Sequence, residues 1–136
     1  MTIDDQLLRD EGLRLFPYRD SVGKLTIGVG RNLDDNGISK TEALFLLGRD
    51  IMRVSEQLQE TWPWTQTLDD ARRGVLINMG FNLGIHGLSD FRTFLSLMQA
   101  GEWEDAAKDL MGTKVAKQLT ARYARLAVQV RTGEWQ

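Results

Sequence analysis

Residues 10–30 read DEGLRLFPYRDSVGKLTIGVG, and the interpretation of the whole chain starts from them. One carboxylate, Glu11, stands at the end of a predicted helix, and a second, Asp20, stands just before a turn. Thr26 follows on a predicted strand. Two carboxyl groups held apart by a short connection suit acid–base chemistry on a single bond. No other part of the sequence supplies a comparable set, so these three residues are the candidate catalytic residues.

The first helix is predicted over about residues 3–11. Thr2 and Asp5 have the spacing of a capping box, and Gly12 is typical of a helix terminator. Apolar residues stand four and eight positions before Glu11, so they share its helix face and place its carboxyl beside apolar surface. Burial and the negative end of the helix dipole both disfavour an ionised carboxylate. We therefore expect Glu11 to hold its proton near neutrality, as a general acid must.

A small β-hairpin is predicted over residues 16–30, with strands of about 4–6 residues on either side of a turn. Asp20 lies in this polar turn, where water keeps it ionised. Thr26 alternates with Leu25 and Ile27, so its side chain points to the opposite face from theirs. If the two apolar residues face the core, Thr26 faces the cleft.

Together these residues resemble the catalytic pattern of the phage-type lysozymes, the family of bacteriophage T4 lysozyme. The pattern consists of Glu11 followed by glycine, a Tyr-x-Asp that ends at Asp20, and a Thr-Ile-Gly-x-Gly strand that starts at Thr26. Their joint spacing is far more specific than any one of them. The resemblance covers nearly the whole chain, because it continues through residues 68–73, 76–79, 81–84 and 131–135.

The resemblance implies an α+β, mainly helical, lysozyme-like fold in a single domain over residues 1–136. A small β-hairpin lobe would take about residues 12–60, including a linking helix. The large helical lobe would take about residues 61–136 together with the N-terminal helix, residues 1–11. Larger family members have a longer connection before the linking helix than residues 31–38 provide here, so we expect one wall of the cleft to be lower.

The implied activity is that of an endolysin, a muramidase that hydrolyses the β-1,4 bond between N-acetylmuramic acid and N-acetylglucosamine in peptidoglycan. In the inverting mechanism that the resemblance implies, Glu11 protonates the leaving oxygen, while Asp20 and Thr26 hold and activate a water. The resemblance implies no cofactor and no metal. It also carries over three substrate-binding residues: Asn82, Gln118 and Arg122.

Two arginines modify this expectation. The family places an arginine where it can pair with the catalytic glutamate, and Arg122 matches that position. Its charge would favour the ionised form of Glu11 and so oppose burial, and the sequence leaves open which effect prevails. The family often has histidine after the Gly-x-Gly strand, whereas this chain has Arg31. Because arginine stays charged at any working pH, we expect a constant ion pair there.

Two other functions remain open from the residues. A lytic transglycosylase would cleave the same bond with a single acid/base glutamate and leave an anhydro sugar. A wall-binding or structural module would carry a degenerate, inactive site. The presence of Asp20 and Thr26 beside Glu11 counts against both.

Composition limits the possible partners. The chain has 136 residues, 42% of them apolar, with no cysteine and a net charge of −2. It is long enough to bury one core, and its charge argues against nucleic acid as a partner. No apolar run is long enough to span a bilayer, and residues 1–5 do not resemble a signal peptide. We expect a monomer, made in the host cytoplasm, that reaches the cell wall after release through a holin pore, without stable membrane association.

The remaining pattern predicts helices separated by turns. Residues 32–37 read as a turn, and residues 39–42 form a capping box before the linking helix, which Pro63 ends. Two roles are open for Trp62 and Trp64, stacking on sugar rings and packing on the core or between the lobes, and we expect packing. Residues 84–87 are predicted to be a loop with the only histidine, His86, on the surface. Further helices are predicted at about 68–82, with Val75, Ile77, Met79 and Phe81 in the core, and at about 90–100, 102–111 and 114–131.

Overall fold

The computed structural model describes residues 1–136 and confirms an α+β, mainly helical fold with one small antiparallel sheet. Three strands form the sheet, β1 (Arg14–Arg19), β2 (Leu25–Gly28) and β3 (Arg31–Asn32). Most helices follow the sheet in the chain. The helices are α1 (Ile3–Glu11), α2 (Leu33–Asn36), α3 (Lys40–Thr61), α4 (Asp70–Ser89), α5 (Arg92–Ala100), α6 (Trp103–Met111), α7 (Lys114–Gln118) and α8 (Thr120–Thr132).

The chain forms two compact units, Met1–Leu46 and Leu47–Gln136. The division falls inside α3, and α1 belongs to the first unit. The lobe assignment predicted above, which ends the small lobe near residue 60 and groups α1 with the C-terminal helices, stays a prediction.

The first unit is organised by its sheet, in the order β1-β2-β3. Thr26, on the central strand, is paired with Tyr18 on one side and with Asn32 on the other. Before the sheet, α1 has the predicted capping box between Thr2 and Asp5 and ends at Gly12. The predicted hairpin is therefore confirmed, and the structure adds a third short strand.

The short helix α2 is held against the hairpin by a hydrogen bond and an ion pair. Asp34 accepts a hydrogen bond of 2.8 Å from the backbone N–H of Leu25, and Asp35 forms an ion pair of 3.0 Å with Lys24. The side chain of Asn32 caps the helix by accepting from the backbone N–H of Asp35. The turn predicted over residues 32–37 is thus one turn of helix, because asparagine is a favourable N-cap residue and stabilises the first turn of a helix.

The start of α3 is fixed by the predicted capping box. Ser39 and Glu42 exchange hydrogen bonds between their side chains and backbone N–H groups. Glu42 also forms an ion pair of 2.9 Å with Arg31, which in addition donates to the carbonyl oxygen of Gly37. An ion pair is therefore present at Arg31, with Glu42 as its partner.

The apolar core lies in the second unit, where α8 packs against α4, α6 and α7. Val75 and Met79 are fully buried, as predicted, but Ile77 is only partly buried and Phe81 is 46% exposed. That part of the prediction is wrong, because residues two apart on a helix point to nearly opposite sides. The core cluster consists of Leu58, Val75, Leu76, Met79, Leu88, Phe94, Leu95, Met98, Ala106, Ala107, Leu110, Ala116, Tyr123, Leu126, Ala127 and Val130.

Gly84 kinks α4 rather than ending it. Its φ of 75° is non-helical, but the helix resumes and continues to Ser89. The predicted loop at residues 84–87 is therefore wrong. Gly84 alone adopts a non-helical conformation, which kinks the helix, and the residues after it are helical again. His86 is exposed, as predicted.

The two tryptophans around Pro63 pack at the edge of the core. The long helix α3 ends before the proline, and residues Pro63–Thr67 form a 3-10 turn. Trp62 and Trp64 are partly buried against the core cluster, so their predicted packing role is confirmed.

The C-terminal helical region is broken at Leu119, which separates α7 from α8 and is 41% exposed. The end of α8 is tied to α4 by Arg72, whose guanidinium donates to the carbonyl oxygens of Val130 and Arg131. It also stacks over Trp103, with 4.1 Å between the guanidinium carbon and the ring centre. The helical region predicted over residues 114–131 thus consists of two helices.

Candidate active site

Glu11 is the last residue of α1, and its carboxyl group lies against Gly30. A Cβ atom added to Gly30 would lie 2.9 Å from Oε2 of Glu11, closer than a Cβ atom approaches other atoms in proteins. Gly30 also has a φ of +66°, a conformation that L side chains rarely adopt. The glycine is therefore required twice, once for the backbone turn and once for the space that the carboxyl occupies.

The helix-end position predicted for Glu11 is confirmed, but its burial is not. Glu11 is exposed, and no residue of α1 is buried. The apolar neighbours on its helix face, Ile3 and Leu7, are exposed as well. That Glu11 is the general acid stays a prediction.

Asp20 lies at the end of the hairpin, where its carboxylate organises the turn. Oδ1 accepts backbone N–H bonds from Val22, at 3.0 Å, and from Lys24, at 2.8 Å. The other oxygen, Oδ2, accepts no hydrogen bond from the protein. One oxygen is thus held by the backbone, which fixes the plane of the carboxylate, while the second remains available to another donor.

Thr26 is the one buried residue of the first unit, at 3% exposure. Its hydroxyl donates to the carbonyl oxygen of Lys24, at 2.9 Å, so its lone pairs remain free to accept. Leu25 and Ile27 are only partly buried. Thr26 was predicted to face the cleft on the condition that Leu25 and Ile27 form the buried face of the strand. That condition is wrong, because the buried face of the central strand is the one that carries Thr26.

Lys24 connects the two catalytic candidates of the hairpin. Its backbone N–H donates to Asp20, and its carbonyl oxygen accepts from Thr26. Two backbone bonds close the turn: the N–H of Asp20 donates to the carbonyl oxygen of Lys24, and the N–H of Gly23 donates to the carbonyl oxygen of Asp20. The structure thus brings Asp20 and Thr26 together through one residue, on the unit that also carries Glu11.

Arg122 and Asn82 lie on facing elements of the second unit, α8 and α4. The guanidinium of Arg122 donates to the side-chain oxygen of Asn78, at 3.0 Å, and to the backbone oxygen of the same residue, at 3.3 Å. The side-chain oxygen of Asn82 accepts a hydrogen bond of 2.9 Å from the hydroxyl of Tyr123. Both predicted substrate-binding residues are thus oriented by protein partners.

An apolar cavity of about 360 Å³ lies beside Arg122 in the second unit. Ile77 and Phe81, which were predicted to be core residues, line it together with Trp135. Gln118, the third predicted substrate-binding residue, is the exposed last residue of α7 and does not line this cavity.

Sequence reasoning missed three residues that shape these groups: Gly30, Asn78 and Tyr123. Gly30 carries a readable signal, since the second glycine of a Gly-x-Gly strand often marks a close approach of another group. Asn78 and Tyr123 carry none, because the partner of each lies more than 40 positions away in the sequence.

The helical fold, the small sheet and the carboxyl-bearing helix end and hairpin define a lysozyme-like protein of the α+β class. A sequence profile of the phage lysozyme family matches residues 9–125, and the chain belongs to that family. The match includes Glu11, Asp20, Thr26 and all three predicted substrate-binding residues.

Individual relatives agree with this placement. The chain is 30% identical to the pre-baseplate central spike protein Gp5 of Enterobacteria phage T4, over 98% of this chain and 28% of that protein. It is 26% identical to probable T4-type lysozyme 1 of Dictyostelium discoideum, over 97% of this chain and 95% of that protein. A SAR-endolysin of Bacteriophage PS119 is 33% identical, over 61% of this chain and 49% of its own length.

The chain thus spans about a quarter of the spike protein and nearly the whole of the amoebal lysozyme. The first two alignments run over 161 and 162 positions, more than the 136 residues of this chain, so both relatives contain residues that this chain lacks. None of the helices combines the length and the apolar character that crossing a bilayer requires.

Proposed function

We propose that this protein is a muramidase that hydrolyses the β-1,4 bond between N-acetylmuramic acid and N-acetylglucosamine in bacterial peptidoglycan. The observation that carries the proposal is the family match over residues 9–125, which includes a glutamate at the end of α1 and an aspartate and a threonine joined at one hairpin turn. Each of these residues has a chemical task in glycoside hydrolysis.

In the proposed mechanism, Glu11 gives its proton to the glycosidic oxygen as the bond from that oxygen to the anomeric carbon breaks. A water attacks the anomeric carbon from the opposite face of the sugar ring and loses a proton to Oδ2 of Asp20, the oxygen without a protein partner. The Thr26 hydroxyl donates a hydrogen bond to the backbone carbonyl oxygen of Lys24 and accepts one from that water. The product has the inverted anomeric configuration, and Asn82, Gln118 and Arg122 bind the glycan.

The biological role that we propose is lysis of a bacterial host by a phage or prophage. The similarity to a SAR-endolysin of a bacteriophage supports this role. In this role the protein acts as a monomer, is made in the host cytoplasm and reaches the cell wall through a holin pore. The similarity to a phage spike protein supports the alternative of a non-catalytic, wall-binding or structural module.

Analysis of the products from purified peptidoglycan tests the proposal. The first anomer released is followed by NMR, and the ends of the products are identified by mass spectrometry, with Glu11→Gln as the inactive control. An α anomer is expected. A β anomer would refute inversion, an anhydromuramyl end would identify a lytic transglycosylase, and binding without cleavage would identify a wall-binding module.

A further inference from the structure

Tyr123 is a core residue whose side chain has one polar atom, the hydroxyl oxygen. It is fully buried, and it is the largest of the fully buried side chains. Its hydroxyl forms one hydrogen bond, to Oδ1 of Asn82 at 2.9 Å. Leaving a buried hydroxyl proton without an acceptor would lower the stability of the folded protein, and Asn82 is the acceptor that avoids this for Tyr123.

This dependence decides which way the Asn82 amide is turned. An asparagine side chain presents an acceptor at its oxygen and donors at its nitrogen, and the two ends have nearly the same shape. With the amide reversed, the Tyr123 proton would point at an NH₂ group and have no acceptor. The oxygen of Asn82 must therefore face inward, toward Tyr123.

The nitrogen of Asn82 consequently faces outward. It has no hydrogen-bond partner in the protein, and no unpartnered side-chain nitrogen or oxygen in the molecule is fully buried, so this NH₂ group keeps some exposure to solvent. Asn82 follows Asn78 by one helical turn on α4, so its amide shares a helix face with the residue that holds Arg122. The accessible donors thus belong to the predicted substrate-binding face.

We propose that Tyr123 is a positioning residue: it fixes Asn82 as a hydrogen-bond donor to an amide carbonyl of the peptidoglycan substrate. This inference rests on the proposed function. An NH₂ group can only donate, and an amide carbonyl oxygen can only accept, whereas sugar hydroxyls do both. Fixing the orientation of Asn82 therefore favours an amide carbonyl as its partner, because a hydroxyl would pair with either end of the Asn82 amide.

Burial raises the pKa of Tyr123, although the charge of the neighbouring Arg122 acts in the opposite direction. The hydroxyl therefore keeps its proton throughout the neutral pH range. The orientation of Asn82 is for that reason constant under conditions in which lysozymes are assayed.

Peptidoglycan offers amide carbonyls from two sources, the N-acetyl groups of the sugars and the stem peptides. Two modified substrates distinguish them: N-deacetylated walls lack the first source, and walls treated with an amidase lack the second. The effect of removing the Tyr123 hydroxyl should disappear on the substrate that lacks the recognised carbonyl and persist on the other.

The test compares Tyr123→Phe, Asn82→Ala and the double variant. Tyr123→Phe removes the hydroxyl and keeps the ring, so Asn82 is free to turn, and KM for native walls should rise about three- to tenfold with kcat little changed. If Tyr123 acts through Asn82, the double variant should be no worse than Asn82→Ala alone. An unchanged KM in Tyr123→Phe, or effects that add in full, would overturn the inference.

Asn82→Asp provides a control for folding. It keeps an oxygen that accepts from Tyr123, so the fold should be preserved, but it replaces the outward donor with an acceptor and should bind as poorly as Asn82→Ala. Normal binding by Asn82→Asp would contradict the proposed donor role.

A binding measurement separates this inference from the proposed hydrolysis. Calorimetry with the Glu11→Gln protein and an N-acetylglucosamine hexamer requires no cleavage, and the corresponding glucosamine hexamer is the control. Weaker hexamer binding on adding Tyr123→Phe would support positioning at the N-acetyl group even if the parent protein proved unable to cut walls. Equal binding, together with an unchanged KM on walls, would refute positioning even if the walls are hydrolysed normally.

Discussion

Each of the two units is stabilised internally by a different kind of interaction. In Leu47–Gln136, apolar side chains from α3 to α8 form one continuous core. In Met1–Leu46, the one buried residue is a threonine, and the sheet, the turn and α2 are joined by hydrogen bonds and ion pairs. The candidate catalytic residues all lie in this first unit, Met1–Leu46.

The difference shows how stability and orientation are divided within the chain. Apolar burial is non-directional and contributes most of the free energy of folding, whereas hydrogen bonds contribute little net energy but fix direction. Asp20 and Thr26 are each oriented by backbone groups of Lys24. Substitutions of the catalytic candidates in the first unit should therefore affect mainly activity, and truncation of core side chains in the second unit should affect mainly stability.

Two phenylalanines provide the most direct test of this division. Phe94 is fully buried on α5, and Phe16 on β1 is 82% exposed. We expect Phe94→Ala to lower the free energy of unfolding by about 3–5 kcal/mol, since it removes a buried ring and leaves a cavity. Phe16→Ala should change it by no more than about 0.5 kcal/mol. Urea denaturation measures both, and a comparable loss at Phe16 would contradict the comparison.

Glu11→Gln should give the opposite result. It keeps the shape of the side chain and removes the proton donor, so turnover of purified walls should fall by ~10² or more. The free energy of unfolding should stay the same or rise, because active sites commonly trade stability for function. Near-normal lysis by Glu11→Gln would rule out this residue as the general acid.

Alanine variants of Gly30 and Gly28 distinguish the effect of backbone strain from the effect of displacing the Glu11 carboxyl. Both have positive φ, so alanine at either position should cost about 1–2 kcal/mol of stability. A Cβ on Gly28 would meet nothing within 4 Å, whereas one on Gly30 would displace the carboxyl of Glu11. Gly30→Ala should therefore lose an additional factor of ~10 or more in turnover, since misplacing a catalytic group slows the reaction.

Measuring kcat and the unfolding free energy of both glycine variants checks this prediction. If Gly28→Ala and Gly30→Ala lose activity equally, the space beside Glu11 has no catalytic importance.

Sequence reasoning predicted the features that depend on local spacing. The capping boxes at Thr2 and Ser39, the hairpin around Asp20 and the end of α3 before Pro63 all follow from residues a few positions apart. It failed where a longer-range contact decides the result. Packing determines that α4 continues past Gly84, and the long-range bond between Asn82 and Tyr123 joins two helices that no local pattern connects.

The smallest expected effect concerns the ion pair between Arg31 and Glu42. Hydrogen bonds from Arg31, and then from the backbone and side chain of Ser39, lower the pKa of Glu42 to about 2 from its ordinary value of 4.5. A carboxyl group whose pKa is lowered by folding stabilises the folded state at pH values above its unfolded pKa, and this contribution is lost as pH falls through the folded pKa. The contribution of Glu42 should therefore be constant from neutral pH to about 4.5 and should disappear between about 4.5 and 2.

Glu42→Gln isolates this contribution. The variant keeps an oxygen that can cap Ser39 but loses the charge that pairs with Arg31. Because the pair is largely exposed, the expected difference in urea midpoint between the parent protein and Glu42→Gln is small. It should be the same at pH 7 and pH 5 and should shrink steadily as the pH is lowered toward 2. A difference that does not change with pH would show that the charge of Glu42 contributes nothing, and that the first unit depends at this point on the capping hydrogen bonds alone.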